Sequence, residues 1–491
     1  IEPVELPDDL AYHLAGIQRS QMTNIDAIIR ALGKLGHEAI SAPIISLTKE
    51  ADGKKSLMIL PFEDLSPTGD NAWFADGIAS ELIGTLSNLK SLRLMDQQET
   101  KSFKTFKGHL TEYARTMNVR YFVQGSVRKF GDQIKIMTQL LDIQTGDYLW
   151  QDTHKGTMDD IFEIQEAVAK KVVDGLILHL NTDEKKKLTE HGTENAEAYE
   201  LYLKANEYFE RNTKEGFQLA DQLLIEAIRL DPIYARAYVM MAYTLLQIYR
   251  SYDRNPDLLI EAEALCTEAL RLKPLLFATY GPLSQLYMYQ GKLTEAEEIA
   301  KEFIRLDPES WQSHHTLSYF YSEIGSVAKA IGPALESIRL NTDSRINFWN
   351  IIALYTNLQD KENAKYWSLK ALPLFERFAK LHPNDEVSNS QCACLLFFAG
   401  HTEDAKRVIE ELKKSRDGSS LMNLANIFCL MRERDKALEL MQMAIEAGFR
   451  NINYLRSFIT DKPGDPVIFA GAPLYGEINA MIEKLEAEEA S

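Results

Sequence analysis

The spacing of apolar residues changes near residue 180, from mixed strand and helix patterns to helix patterns alone. Residues 56–62 contain an apolar run of strand length that a proline ends. Apolar residues then recur with a period of 3.6 in residues 76–86, which predicts a helix with one buried face. Residues 121–128 and 133–142 flank a turn and predict a hairpin. This order of strands and helices predicts a small sheet with helices packed on it, over residues 54–180. The second hairpin arm alternates between polar residues and four positions expected to be buried: Ile134, Ile136, Thr138 and Leu140.

A short motif recurs at the ends of predicted helices in the second part of the chain. It reads Ile-Arg-Leu-Asp-Pro or a close variant, and its copies end at Pro232, Pro274, Pro308 and Thr342. These end points are 42, 34 and 34 residues apart. A fixed period near 34 residues is typical of stacked pairs of antiparallel helices. We attribute the longer first spacing to a loop at residues 251–256.

This register resembles that of tetratricopeptide repeats. Small residues stand where the two helices of such a repeat approach closely, as at Ser284 and Ala296. The predicted fold class is a small α+β domain followed by an all-α tetratricopeptide solenoid, a right-handed superhelix of antiparallel helix pairs. We expect about seven pairs over residues 194–447 and a capping segment over 448–491. The family register places seven side chains in the concave, partner-binding groove: Gln285, Met288, Gln312, His315, Tyr319, Ile346 and Trp349. It shows no basic clamp for a peptide carboxylate.

The α/β segment resembles the TolB amino-terminal-like domain. The motifs that carry this resemblance occur in order over about 125 residues: 60–66, 73–78, 125–128, 142–146, 149–150 and 160–165. Such domains often stand between an output module and tetratricopeptide repeats. The resemblance implies an output module such as a nucleotide cyclase, a winged helix, a kinase or a TIR domain, and it implies no activity for the segment itself.

Residues 1–47 allow two interpretations. Ile1-Glu-Pro-Val, residues 10–18 and a closing helix resemble the C-terminal end of a bacterial TIR domain. Many TIR domains hydrolyse NAD through a glutamate on an earlier helix, which would precede Ile1, so no catalytic residue can be assigned. The alternative is a linker helix of no particular family. Residues from about 38 to 54 are expected to connect this segment to the sheet.

The charge and composition limit the partners that we expect. The formal net charge is -18 and the isoelectric point is about 5.2, so we expect neither nucleic acid nor an anionic membrane surface as a partner. No apolar run reaches the roughly 18 residues of a membrane span, and no signal peptide is evident, which favours a cytoplasmic location. All four cysteines fall in helical sequence and are expected to be reduced core thiols: Cys266, Cys392, Cys394 and Cys429.

Three short motifs suggest chemistry, and each has a simpler explanation. Residues 53–56, Gly-Lys-Lys-Ser, lack the first glycine of a phosphate loop and precede the strand instead of following it. Asp76 and Gly77 are expected to cap a helix. His314 and His315 point about 100° apart on a helix and cannot share a metal ion. We therefore assign no catalytic residue, cofactor or metal to residues 1–491, and an enzymatic activity depends on an upstream TIR domain.

The leading hypothesis is the sensor and assembly region of a bacterial multidomain signalling protein. Its solenoid would bind a protein partner or a second copy and so control an N-terminal effector, for example a TIR NAD hydrolase in antiphage defence. The alternative is a non-catalytic scaffold or adaptor without an effector. Alanine at Tyr319 or Trp349 is expected to weaken partner binding.

Overall fold

A computed structural model describes residues 54–449, residue 455 and residues 474–489. Within the first range it leaves out 68, 88, 90, 96, 107, 189–191, 359, 413, 416 and 432. The predictions for residues 1–47, and those for most of 448–491, lie outside the described residues. Residues 54–491 form a compact unit of their own, distinct from residues 1–53.

The first part of the described chain is a six-stranded mixed sheet with helices on both faces. The strands are β1 (Lys55–Ile59), β2 (Glu63–Asp64), β3 (Leu92–Leu94), β4 (Tyr121–Phe130), β5 (Gln133–Asp142) and β6 (Asp147–Thr157). The helices are α1 (Ala72–Leu86), α2 (Gln97–Ser102), α3 (Leu110–Met117), α4 (Ile161–Gly175) and α5 (Thr182–Leu188). The strand order is β3-β1-β4-β5-β6, with β2 on β4; β1, β2, β3 and β4 run parallel, and β4, β5 and β6 form an antiparallel meander.

Alternation along β1 builds two apolar layers, one on each face of the sheet. Leu57 and Ile59 face a cluster that includes α1 and α4, whereas Met58 faces a second cluster that includes α3. Both faces are therefore covered, as the continuous apolar run of β1 requires. The predicted hairpin is confirmed as β4 and β5, joined at Phe130 and Gln133. The four positions predicted to alternate into the core are 0–3% exposed: Ile134, Ile136, Thr138 and Leu140.

Seven pairs of antiparallel helices follow in residues 196–446. The first helices of the pairs are α6 (Ala196–Glu210), α8 (Ala235–Ser251), α10 (Tyr280–Tyr289), α12 (Trp311–Glu323), α14 (Arg345–Asn357), α16 (Glu386–Ala399) and α18 (Gly418–Leu430). The second helices are α7 (Lys214–Leu230), α9 (Pro256–Leu272), α11 (Leu293–Leu306), α13 (Val327–Leu340), α15 (Lys361–Leu381), α17 (Thr402–Leu412) and α19 (Arg434–Glu446). A further helix, α20, spans Leu474–Glu489.

Small side chains let the helices of a pair approach each other. Ala296 of α11 is fully buried, and its carbonyl accepts a 3.0 Å hydrogen bond from the Ser284 hydroxyl of α10. In the next pair Ser318 and Ala330 are also fully buried. The pairing, the 34-residue period and these buried small residues define tetratricopeptide-type repeats. The predicted fold class, an α+β domain followed by an all-α solenoid of antiparallel helix pairs, is confirmed.

The long spacing between Pro232 and Pro274 has a different origin from the predicted loop. Helix α8 is 17 residues long and α9 is also 17, whereas α12 and α13 have 13 and 14. Because α8 and α12 start at the same distance after Pro232 and Pro308, most of the extra residues lengthen the helices. The predicted loop at 251–256 is only a short connection, and α8 gains about one turn at its C-terminal end.

The α/β part contacts the solenoid at two separate places. At the first junction, Leu203 of α6 belongs to the same apolar cluster as α1 and α4. Arg236 of α8 also binds Glu81 of α1 through two hydrogen bonds of 2.6 and 2.8 Å. At the second junction, Arg345 of α14 lies 2.6 Å from Glu99 of α2. The helix pairs between these junctions therefore form, with the α/β part, a closed loop of contacting elements.

The prediction that Asp76 and Gly77 cap a helix is wrong. Helix α1 begins at Ala72, so both residues lie inside it, and Asp76 forms an ion pair with Lys104 at 2.5 Å. The glycine has a tertiary role instead. A Cβ atom at Gly77 would lie 2.8 Å from Cδ1 of Leu203, so the absence of a side chain allows α6 to pack closely on α1.

Candidate functional site

The first helices of the first four pairs line an open groove that holds a cavity of about 530 Å³. This groove cavity is large enough for part of a peptide or a small ligand. Its lining comes from α6, α8, α12, α10 and the short 3-10 turn before α10. The residues are Tyr202, Asn206, Phe209, Arg236, Val239, Met240, Tyr243, Arg250, Ala278, Gly281, Pro282, Gln285, His315, Thr316 and Tyr319.

The charge of the groove cavity differs from that of the whole chain. The chain carries 72 acidic residues among 491, yet the cavity lining contains two arginines and no aspartate or glutamate. The sequence showed no basic clamp because Arg236 and Arg250 were not among the positions assigned to the groove. The cavity is thus a basic and aromatic site on a strongly acidic protein.

Arg236 is neutralised within the protein. Its guanidinium binds both carboxylate oxygens of Glu81 and lies 3.4 Å from the hydroxyl of Tyr202. Bidentate pairs of this kind fix the geometry of both partners. Arg236 therefore joins the edge of the groove cavity to helix α1 and has little charge left for a ligand.

Arg250 stands on the extra turn of α8 and is surrounded by phenols. The phenols of Tyr319, Tyr289 and Tyr243 interact with its guanidinium. Burial raises the pKa of Tyr319 and of Tyr289, so both phenols stay neutral at pH 7 and do not cancel the charge of Arg250. Tyr243 is 38% exposed and leaves the site open to solvent on one side.

Gln285 and His315 extend the polar surface of the cavity. The Gln285 amide donates a 3.0 Å hydrogen bond to the hydroxyl of Tyr289. Burial lowers the pKa of His315, so its imidazole is neutral at pH 7. Its ring packs edge-on against Trp311, with centroids 5.9 Å apart. The neighbouring His314 contacts the carbonyl oxygen of Pro308 at 3.0 Å, so the two histidines have separate partners.

The structure brings three of the seven predicted groove residues into the cavity: Gln285, His315 and Tyr319. Met288 and Trp349 pack instead against the apolar core of the middle helix pairs. Gln312 and Ile346 are exposed and do not line the cavity. The arginines and aromatic residues of α6 and α8 were missed. The 42-residue spacing was the sequence signal that could have drawn attention to α8.

The four cysteines are buried, as predicted. Burial raises the pKa of the Cys266 thiol and that of Cys392 to about 12, and it raises the pKa values of Cys394 and Cys429 as well. A thiol reacts as its thiolate, so these four side chains are inert core residues at neutral pH. Among residues 54–449 and 474–489, apart from the gaps given above, no helix is long and apolar enough to cross a membrane.

No family model matches the chain. A curated protein of Rhizobium meliloti (strain 1021), named "Putative adenylate cyclase 3", is 28% identical over 219 residues. That alignment covers 44% of this chain and 37% of the relative, so the chain matches well under half of that protein's length.

Several solved structures have partial similarity to the chain. A tetratricopeptide repeat protein from Parabacteroides merdae is 16% identical, with 52% of this chain and 94% of that chain covered and a TM-score of 0.35. The human IFIT1 dimer with m7Gppp-AAAA is 14% identical, with coverage of 67% and 74% and a TM-score of 0.42. YrrB, described as a TPR protein with an unusual peptide-binding site, is 17% identical, with coverage of 37% and 91% and a TM-score of 0.27.

Proposed function

We propose that residues 54–491 are the partner-binding and assembly region of a bacterial multidomain signalling protein. The groove cavity binds a segment of a protein partner, and the α/β part, which resembles the TolB amino-terminal-like domain, relays that binding to an effector. The observation that carries this proposal is the basic and aromatic cavity between the first four helix pairs. Tyrosine and arginine are the residues that most often dominate binding at protein interfaces.

The two junctions give a physical reason for coupling between the groove and the α/β part. Arg236 lines the groove cavity and also binds Glu81 of α1. A partner that shifts α8 would therefore act on α1 through this ion pair. Coupling of this kind requires that the partner favour one arrangement of the two parts over another.

Photo-crosslinking tests the groove as the binding surface. A photoreactive phenylalanine analogue replaces Tyr243, which is 38% exposed inside the cavity. The control replaces Tyr366, which is 49% exposed on a second helix and does not line the cavity. In the native host, we expect irradiation to link a defined protein to position 243 and not to position 366. Equal yields of the same product at both positions, or no product at 243, would overturn the proposal.

The effector that this region controls is a separate part of the proposal. The resemblance of residues 1–47 to the end of a TIR domain favours an NAD hydrolase, with antiphage defence as its setting. The name of the Rhizobium meliloti relative adds a nucleotide cyclase as a second class of effector. The third candidate is a scaffold with no effector. Assays of the protein produced from its native gene distinguish them: loss of NAD supports the first class, conversion of ATP to cyclic AMP supports the second, and neither activity supports the scaffold.

The predictions about other partners rest on net charge alone. The net charge of -18 argues against binding over the whole surface to nucleic acid or to anionic lipid. A basic cavity within an acidic surface can still bind one anionic group.

A further inference from the structure

Among the arginines of the repeats, Arg250 is set apart by its position. If α8 were only as long as α12, it would end three residues before Arg250. Arg250 therefore stands on the additional turn of α8. The additional turn places Arg250 in the lining of the groove cavity, beside Tyr243 and Tyr319. The lengthening of the second helix pair is therefore what creates a basic centre in the groove.

We propose that Arg250 is the anchor for a carboxylate side chain of an acidic peptide segment that lies along the groove cavity. This inference rests on the proposed partner-binding function and names the chemistry of the partner. A guanidinium binds a carboxylate through two parallel N–H···O hydrogen bonds, and such charge-assisted bonds are stronger than neutral ones. The surrounding phenols supply flat, apolar surface against which the peptide packs.

Several other arginines of the repeats form an ion pair with a glutamate, whereas Arg250 does not. Four arginines near the ends of second helices each pair with a glutamate three residues earlier: Arg229, Arg271, Arg305 and Arg339. Arg236 pairs with Glu81. Within the described residues Arg250 forms no ion pair, and the groups that act on it most strongly are Tyr319, Tyr289 and Tyr243.

Glu323, at the end of α12, is the carboxylate near Arg250: burial raises the pKa of Glu323 and the charge of Arg250 lowers it, yet among the described residues the two side chains form no ion pair. A half-buried guanidinium that is surrounded by neutral phenols, and that forms no ion pair with the nearby Glu323, is incompletely compensated. A ligand carboxylate completes the compensation, and an ammonium group would be repelled. The sign of the charge thus selects an acidic partner segment.

The shape of the groove favours an extended segment over a small anion. The cavity runs across four first helices, and adjacent packed helices lie 8–10 Å apart, so it spans about 25–30 Å. An extended chain of about eight residues covers this length. Apolar and aromatic side chains line most of the path, including Phe209, Val239 and Met240. An isolated phosphate or carboxylate would leave that surface uncovered.

Selection from a random peptide library tests the proposal directly, because the groove itself chooses the sequences that it binds. The probe is a phage-displayed library of random dodecapeptides, selected on the 491-residue chain. Three proteins are compared: wild type, Arg250→Gln, and Arg254→Gln. Arg254 is a matched control because it is exposed and its guanidinium lies over Tyr249, 5.1 Å from the ring centroid, outside the cavity lining. Circular dichroism and thermal melting confirm that each variant is folded.

We expect aspartate or glutamate to be enriched at one position of the peptides that wild type and Arg254→Gln select, and not in those that Arg250→Gln selects. A synthetic version of the most enriched peptide is then labelled with fluorescein and titrated by anisotropy. Arg250→Gln and replacement of the peptide's acidic residue by its amide should each weaken binding at least tenfold, about the effect of losing one charge-assisted contact. Combined, they should weaken it little further, since both remove the same contact.

The outcomes separate this inference from the proposed function. Enriched peptides without an acidic position, or binding that Arg250→Gln leaves unchanged, would overturn the carboxylate anchor while the groove remains a peptide site. No enrichment at all would overturn both. A fluorescein-labelled single-stranded RNA is titrated in parallel. RNA binding that is lost in Arg250→Gln, with no selected peptide, would assign the site to phosphate and also overturn the inference.

Discussion

Arg345 and Glu99 form a buried ion pair that joins the fifth helix pair to the α/β part. The Arg345 Nε atom lies 2.6 Å from Glu99 Oε1, and the side chains are 6% and 2% exposed. Arg345 also donates a 2.7 Å hydrogen bond to Ser388, and its guanidinium lies 3.4 Å from the ring centroid of Phe378. The two residues are 246 positions apart in sequence, so this pair closes the loop of contacts that begins at Glu81 and Arg236.

Removal of one partner of this pair should be strongly destabilising. Glu99→Gln leaves the Arg345 charge buried without a carboxylate, and losses of about 3–5 kcal/mol are typical of such changes. Denaturant unfolding measures the loss, and amide hydrogen exchange at residues 110–117 and 378–385 shows whether the second junction opens first. The control, Arg305→Gln, breaks an exposed pair with Glu302 and should cost less than about 0.5 kcal/mol. Similar losses for the two variants would contradict a structural role for the buried pair.

His382 makes the same junction sensitive to acid. It is 1% exposed and packs against Tyr113 and Phe378. Burial lowers its pKa to about 4; nearby Asp385 raises the value and Arg345 lowers it. Because the folded pKa lies below the ordinary 6.5, the unfolded chain binds more protons between pH 6.5 and 4. The stability that neutral His382 provides is therefore complete above pH 6.5 and is lost as the pH falls towards 4.

Replacement of His382 should flatten the pH dependence of stability. Between pH 7 and pH 4.5 the wild type should lose about 2 kcal/mol more than His382→Gln. Chemical denaturation at several pH values gives both slopes. Parallel slopes for the two proteins would show that His382 does not titrate as its surroundings require.

Asp221 has the opposite linkage. Burial and the negative charge of Glu261 raise its pKa to about 6, and its Oδ1 atom has no hydrogen-bond partner among the described residues. A carboxyl with a raised folded pKa costs stability when it is ionised, so the cost is present above pH 6 and is relieved as the pH falls towards 4. Asp221→Asn should therefore raise the unfolding free energy at pH 7 by about 1 kcal/mol, with little change at pH 4. A stabilisation of equal size at both pH values would argue against ionisation as the cause.

The fold could be predicted from sequence because its signals are local. The period-2 pattern at Ile134 and Ile136 and the 34-residue spacing between Pro274 and Pro308 each depend on residues close in the chain. The helix-pair motif also occurs several times in the chain, so the predicted bounds of one pair can be checked against those of the others. The predicted sheet, hairpin and helix pairs were right for this reason.

The candidate site could be predicted only in part because it depends on helix lengths and distant packing. The family register identified Gln285, His315 and Tyr319, whose faces follow from their place in the repeat. It could not show that α8 continues for another turn and carries Arg250. Nor could it show that the side chain of Trp349 packs against the core of neighbouring pairs. Gly77 illustrates the same limit. Its lack of a side chain matters because of the contact with Leu203, which lies 126 residues later in the sequence.

Two glycines on one helix test that role of Gly77. A Cβ at Gly77 meets Leu203, which is 2% exposed and has little room to move, whereas a Cβ at Gly84 has no neighbour within 4 Å. Alanine favours a helix over glycine by about 0.5–1 kcal/mol, so Gly84→Ala should be stabilising. Gly77→Ala should be less stable than Gly84→Ala by about 1–3 kcal/mol, the usual cost of overpacking. Thermal unfolding compares them, and equal effects would mean that α1 and α6 have room to separate.

Alanine at Tyr319 or at Trp349 was predicted to weaken partner binding, and the structure places these two side chains in different surroundings. Tyr319 lines the groove cavity beside Arg250, whereas Trp349 packs against two apolar clusters. Tyr319→Phe removes only the hydroxyl group, and Tyr319→Ala removes the ring as well. We expect both to weaken binding of the selected peptide, the alanine variant by tenfold or more, with little change in stability.

Trp349→Ala should instead lower the unfolding free energy by about 2 kcal/mol, because it leaves a cavity in the core. At temperatures where it is folded, its peptide affinity should match the wild type. The reverse pattern, with affinity lost at Trp349 and retained at Tyr319, would move the binding surface away from the cavity and towards the fifth helix pair.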